Sequence, residues 1–255
     1  MSGSPRVSGL RISPVKALAS VSVSRIRLSR DGVAEDRRLF LLREDGSVAT
    51  MRRFPRLAGV VPDLDLAEGR LGLTFPGGRS AVADLTALGE PVEAVLFGKE
   101  REGRVVEGSA SAALSEYAGE PLRLVLSTST GVGWDEGPVS LVGHASARVV
   151  GAPNDPDGPD LARYRMLVEL DGTEPFEEDA WAGRVIELGS ARVRVTHALV
   201  RCVVIEHHGS TGARDWDGLK TLARVRGRSN LTLGMIGEVD LPGTISVGDH
   251  VAVPG

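Results

Sequence analysis

Cysteine is almost absent, Cys202 being the only one among 255 residues. A single thiol excludes an intrachain disulfide, a cysteine-built zinc site and a four-cysteine iron–sulfur cluster, and it points to a reducing compartment. An excess of positive charge is missing too. The net charge is −4 and the pI about 5.8, so no global basic field draws in nucleic acid. No stretch approaches the roughly 18 apolar residues of a membrane span, and the start, MSGSPRVSG, lacks the apolar core of a signal peptide. A cytoplasmic protein, with neither a membrane nor a nucleic-acid partner, is the expectation. Also lacking are a nucleotide-binding glycine loop, an HExxH helix and a GxSxG elbow. Lysine is scarce beside arginine, and arginine is the better residue for fixed, planar recognition of phosphate or carboxylate.

What is present has the proportions of a globular chain, 42% hydrophobic and 25% charged, long enough for one large domain or two modest ones. The first part reads as short strands separated by turns. Residues 9–13 form a strand that Pro14 ends, and Val21, Val23, Ile26 and Leu28 alternate with polar residues. Asp31-Gly32 marks a turn, 37–42 and 47–51 make a hairpin around Glu44-Asp45-Gly46, and 57–66, 70–75 and 80–84 continue the series. Regular short strands with glycine-rich turns predict a barrel or sandwich. One more apolar run, 92–97, precedes a polar stretch, which sets a division into residues 1–98 and 99–255.

The second part mixes strands with a few helices. An Ala-rich helix is expected over 109–118, capped by Ser109, then a strand over 122–126 and a Gly-rich loop over 127–138 containing Trp134, Asp135 and Glu136. Residues 140–150 read as a helix start that would suit an anion. A Pro/Gly/Asp loop at 154–160 leads to 163–170, which alternates like a strand with two arginines on one face. Glu177-Glu178-Asp179 reads as a solvated turn, or as acids that orient an arginine or a proton donor. Helix 218–225 and strands 231–238 and 245–253 complete the chain.

Chemistry concentrates at a few points. Residues 191–206, ARVRVTHALVRCVVIE, read as an extended strand with a slip midway, and Cys202 follows Arg201 within it. A thiol beside a guanidinium suits a nucleophile or a soft-metal ligand. Packing as a small hydrophobe explains a lone cysteine among valines equally simply. Lys16, after Pro14-Val15, offers a point charge to an anion or a surface ammonium. Arg37, Arg38, Arg52, Arg53 and Arg56 approach one barrel mouth if their strands pair, although strand alternation allows only one or two to converge. Adjacent His207 and His208 point to opposite faces and do not suit one metal ion.

These pieces occur in an order that resembles the MOSC family over nearly the whole chain. The first half resembles the β-barrel domain that precedes MOSC domains, through Pro14-Val15-Lys16, through Gly32 with Asp36-Arg37, and through Arg52 or Arg53 with Pro55-Arg56-Leu57. The second half resembles the MOSC domain, through 138–146, Arg163-Tyr164-Arg165, Glu178-Asp179-Ala180-Trp181, Arg201-Cys202 and Pro242-Gly243-Thr244-Ile245 with Val247-Gly248-Asp249. The resemblance implies a mainly β fold, an N-terminal MOSC-type β-barrel followed by a MOSC β-barrel domain with a few helices. It implies a molybdenum cofactor, with molybdenum ligated by Cys202 and the pterin and its phosphate held by Lys16, Arg37, Arg165 and Arg201. It further implies an oxidoreductase similar to the amidoxime-reducing component, acting on a small N-hydroxylated or related N–O or S–O substrate. Electrons would come from an external reductase or electron-transfer protein. The alternative within the same resemblance is a non-redox carrier of the cofactor or of sulfur on Cys202. Ala17, Leu167 and Val200 stand where the family pattern commonly places Ser, Asn and a small polar residue, so each removes a hydrogen-bonding group.

Overall fold

The computed structural model describes residues 4–96, 98–128, 130, 136–155 and 158–254. Trp134 and Asp135 of the glycine-rich loop, with Pro156 and Asp157 of the next, lie outside the described residues. The protein is mainly β, as expected, and two lobes share its strands.

The larger sheet belongs chiefly to the second half, yet strand Arg6–Ile12 lies within it. That strand pairs antiparallel with Val168–Asp171, Arg6 opposite Asp171 and Leu10 opposite Val168. The order runs from Val21–Ser22 through Arg6–Ile12, Val168–Asp171, Val139–Gly143, Thr232–Leu241, Ala191–Val200 and Val185–Leu188 to Val251–Ala252. The sheet curls until its ends meet. Val7 N donates to Asp249 O at 2.8 Å and Val251 N to Pro5 O at 2.8 Å, which removes the open edges that would otherwise invite aggregation. Strand Arg25–Ser29 pairs with Gly243–Ser246, so the start of the chain adds to the second lobe twice. Alternation explains which faces are buried. Val193 and Val195 are fully buried while Arg192 and Arg194, the residue before each, are exposed, and Val7, Leu10, Leu141, Val168, Leu170 and Ile186 fill the same interior.

The first lobe carries a four-stranded sheet, Leu39–Arg43, Leu122–Ser127, Lys99–Val106 and Leu88–Leu96, and a three-stranded one, Val61–Asp65, Arg70–Thr74 and Ser80–Asp84. Strand Lys99–Val106 pairs on both sides within this lobe, so hydrogen bonding carries the lobe past the expected division at residues 98 and 99. Helix α1, Ala110–Ala118, covers the sheets with Leu114. It ends at Gly119 in the left-handed conformation, a common helix stop. Ser109 precedes α1 without making a side-chain cap. Leu71, Leu73, Leu57 and Leu124 form the interior, each burial contributing about 1.5–3 kcal/mol.

Three elements depart from the sequence reading. Val139–Gly143 is a strand, parallel to Val168–Asp171, and helix α2 begins only at His144 and ends at Val150. Five consecutive buried or half-buried positions suit a central strand as well as a helix start. Over 163–170 the strand begins only at Val168, because Ala162–Tyr164 is a 3-10 turn and Arg165 is left-handed. Glu178 is no solvated acid. It is fully buried in a 3-10 turn, accepting from Gly143 N at 3.1 Å and Ser146 Oγ at 2.9 Å, and burial pushes its carboxyl up. Its neighbour Asp179 does orient an arginine, Arg226, at 2.6 Å. Helix α3, Gly218–Arg226, packs beside α2 with Leu222 buried. No helix among the described residues is long and apolar enough to cross a membrane.

His144, at the start of α2, has a buried Nε2 with no hydrogen-bond partner among the described residues, and desolvation lowers its pKa against the pull of Glu169 and Asp171. A histidine with a lowered folded pKa stabilises the fold above its unfolded value of about 6.5, and that contribution disappears as the pH falls towards the folded value. Urea midpoints across this range should therefore drop more steeply on acidification for the wild type than for His144→Gln.

Candidate cofactor site

The lobes meet around a cleft of about 530 Å³, within the size range of small-molecule and cofactor sites. Lys16, Arg37, Arg165, Arg201 and Cys202 all line it. The five residues singled out in the sequence, spread over nearly 190 positions, thus reach one place. Arg52 and Lys99 line it as well, so the cleft is basic within a chain of net charge −4.

Local backbone bonds explain the convergence. Where strand Arg6–Ile12 leaves the large sheet, residues 13–16 run beside 36–39: Arg37 N donates to Ser13 O at 2.8 Å, Leu39 N to Pro14 O at 3.0 Å and Lys16 N to Leu39 O at 2.8 Å. Asp36 is buried and accepts from Ser13 N at 2.7 Å while pairing with Arg37 Nη1. Arg37 Nη2 then donates to Arg165 O at 3.1 Å, and Arg165 Nη2 donates to Ser13 Oγ at 3.0 Å. A closed ring of bonds therefore joins residues 13, 36, 37 and 165. Lys16 is 7% exposed, a buried wall residue rather than a surface ammonium.

Backbone strain gathers at the same place. Only four non-glycine residues among those described have positive φ, and three of them line the cleft: Ala17 at 75°, Arg37 at 51° and Arg165 at 56°. Each left-handed residue costs about 1–2 kcal/mol, and strained residues persist where the surroundings over-determine them. No sequence signal marked these positions, because arginine and alanine are not residues that favour this conformation.

The thiol sits at a strand's end. Strand Ala191–Val200 does slip midway, its register shifting between Val195 and His197, but it stops before Arg201. Cys202 is extended and half-buried, and it opens the 3-10 turn Val203–Glu206, with Ile205 N donating to Cys202 O at 3.2 Å. Arg201 is turned into the wall. Its Nη2 donates to Tyr164 O at 2.7 Å, its guanidinium lies 5.2 Å from the Tyr164 ring centroid, and desolvation lowers its pKa to about 10. Of the five arginines considered for a barrel mouth, Arg37 and Arg52 reach the cleft, whereas Arg53 pairs with Glu120 at 2.9 Å and Arg56 stacks 4.4 Å from the Tyr117 centroid. Among the described residues no cluster of His, Cys, Asp or Glu suits a metal ion. His207 and His208 bond locally, to Gly212 O and from Ser210 N.

The departures from the family pattern also lie here. Ala17 occupies a left-handed position, Leu167 packs into the large core with its N–H donating to Ser140 Oγ at 3.0 Å, and Val200 is 68% exposed. Tyr164 lines the cleft with a buried hydroxyl that has no hydrogen-bond partner among the described residues, and burial raises its pKa. A donor set of one thiol and several fixed cations fits a group with a soft metal at one end and a phosphate at the other.

Fold and cleft together define a two-lobed β protein with a basic, thiol-bearing site between its lobes. The chain belongs to the MOSC family: residues 4–121 match the MOSC N-terminal beta barrel domain and residues 133–252 the MOSC domain. It is 24% identical to a molybdenum cofactor sulfurase of Danio rerio over 86% of this chain, and 25% identical to mitochondrial amidoxime-reducing component 1 of Xenopus laevis over 81% of this chain and 66% of that protein. The chain spans only about 30% of the length of the Danio rerio sulfurase. The crystal structure of the YUAD protein of Bacillus subtilis aligns over 98% of this chain and 94% of that one, at 13% identity and a TM-score of 0.49.

Two substitutions test the local geometry. Ala17→Gly should hold or raise the melting temperature, since glycine adopts φ 75° without strain, whereas Ala17→Val should lose roughly 2 kcal/mol or more. Gly209 approaches the 3-10 turn so closely that an added Cβ would lie 2.7 Å from Ala162 C and 2.8 Å from Arg163 N. Gly209→Ala should therefore cost about 1–3 kcal/mol in denaturant unfolding.

Proposed function

We propose that the protein is a molybdenum-cofactor-dependent oxidoreductase that reduces small N-hydroxylated or related N–O or S–O compounds. The observation that carries this reading is the convergence of Cys202, the only thiol in the chain, with Lys16, Arg37 and Arg165 on one cleft. Similarity to an amidoxime-reducing component supports the reductive activity, and similarity to cofactor sulfurases supports the cofactor.

Each residue has a distinct task in this reading. Cys202 would ligate molybdenum, a soft metal suited to a sulfur donor. Lys16 supplies a point charge, while Arg37 and Arg165, fixed by bonds to Asp36 and Ser13, present planar donors to the phosphate end. Arg201 holds the wall beneath the thiol through Tyr164 O. The cofactor, when bound, supplies two-electron oxygen-atom chemistry, and the protein supplies binding, orientation and electrostatics. Electrons would be supplied by an external reductase or electron-transfer protein. A cytoplasmic, reducing setting keeps the thiol available.

A second reading follows from the sulfurase relatives: a carrier that holds the cofactor, or sulfur on Cys202, without redox turnover. Elemental and pterin analysis of protein made in a cofactor-producing host separates the two. The oxidoreductase predicts bound molybdenum and pterin, with metal content falling at least about tenfold in Cys202→Ala, and substrate reduction when an electron donor is added. Absence of molybdenum from both wild type and Cys202→Ala sinks it, and a labile extra sulfur on Cys202 without pterin establishes the carrier.

A further inference from the structure

We infer that Arg163 is a positioning residue for Cys202, acting with Arg201 as a reciprocal pair of buried arginines that sets the thiol against Arg165. Two short segments form this part of the cleft, one spanning residues 160–167 and the other residues 201–206. Each sends an arginine into the other. Arg201 Nη2 donates to the carbonyl of Tyr164 at 2.7 Å, and Arg163 Nη1 donates to the carbonyl of Ile205 at 3.2 Å. Tyr164 adjoins Arg165, and Ile205 closes the turn whose first carbonyl is that of Cys202. The two bonds therefore fix the cation-bearing segment and the thiol-bearing segment from both sides.

Arg163 holds its place through charge. Its side chain is 0% exposed, pairing with Asp160 at 2.9 Å and with both carboxylate oxygens of Asp215 at 3.2 and 3.3 Å, and Trp216 lies 5.3 Å from its guanidinium carbon. Asp160 in turn accepts from Gly209 N at 3.2 Å, at the close approach that leaves no room for a Cβ. A buried arginine between two carboxylates is stiff, because breaking one arm strands a charge in a poor solvent. A guanidinium also spans Asp160, Asp215 and the Ile205 carbonyl at once through a planar fork that an ammonium lacks. Segment 206–216, which carries Asp215 and Trp216, is thereby tied to the same arginine, so its placement and that of the thiol are coupled.

The functional meaning rests on the reading of this cleft as a cofactor site, but the thiol itself supplies an independent test. Cys202 is the only cysteine, so alkylation reports on it alone. Full-length, cofactor-free protein is treated with iodoacetamide at one fixed pH, comparing wild type, Arg163→Met, Arg163→Lys and Leu71→Ala. Leu71 is fully buried in the first lobe, away from the cleft, and its truncation supplies a variant of comparable instability. Arg163→Met should alkylate on the order of tenfold faster, Arg163→Lys by a smaller factor because its charge remains, and Leu71→Ala at the wild-type rate. Equal rates in the arginine variants and in Leu71→Ala overturn the inference. Should Arg163→Met not fold, Asp215→Asn takes its place, since Asp215 is only partly buried, and it should accelerate alkylation in the same sense; a wild-type rate there overturns the inference. In cofactor-producing cells, Arg163→Lys should also carry less molybdenum than wild type although Lys16, Arg37, Arg165 and Cys202 are intact. A wild type that never holds molybdenum defeats the cofactor reading and leaves the alkylation result standing.

Discussion

The site depends on one pairing, that of strand Arg6–Ile12 with Val168–Asp171. This contact places the start of the chain inside the sheet built by the end of the chain. Residues 13–16 leave that sheet beside 36–39, and the bonds they form carry Lys16 and Arg37 to the edge of the second lobe. Arg165 lies a few residues before the partner strand, so the same pairing aligns it with Ser13. Loss of register by one residue would turn the buried row of Val7 and Leu10 outwards. Hydrophobic burial in the large barrel therefore sets the geometry of the cations.

Stability and site geometry then oppose each other locally. Left-handed conformations at Ala17, Arg37 and Arg165, with desolvated Arg201 and Tyr164, concentrate unfavourable terms in one cleft. Extensive cores on either side hold these residues in place. Such an arrangement is expected where orientation is fixed before a ligand arrives, because little ordering then remains for binding to impose.

Much of the fold was legible in the sequence where alternation was regular. The strands around residues 61–84 and 191–195 carry apolar residues at every second position, and the turns between them carry glycine. The misreadings share a physical cause, since periodicity reports burial and not backbone angle. Arg163-Tyr164-Arg165 alternates like a strand, yet a left-handed arginine sends the two guanidinium groups to different places, one into the core and one into the cleft. Residues 140–143 are apolar or small enough for either element, and parallel pairing decides for a strand. Glu178 was hidden by its acidic neighbours, because nothing in three consecutive carboxylates indicates which one turns inwards to Ser146. Local chemistry marked Cys202 beside Arg201, Lys16 and Arg37 one by one, and the ordered motifs of the family added Arg165 and joined the five into one site. Separations this large cannot be bridged by spacing arguments within one element.

Closure of the large barrel has a consequence for synthesis. Arg6 and its partner Asp171 are 165 positions apart, and residues 5–7 also bond to residues 249–251. At translation rates of about 5–20 residues per second, the first strand waits on the order of ten to thirty seconds for its neighbour, and longer for the seam. During that interval only the short strand Val21–Ser22 pairs with it, while the four-stranded sheet over residues 39–127 already has all of its strands. The first lobe is thus free to fold as an early unit, and the barrel assembles late around a strand that leaves the ribosome well before its partners.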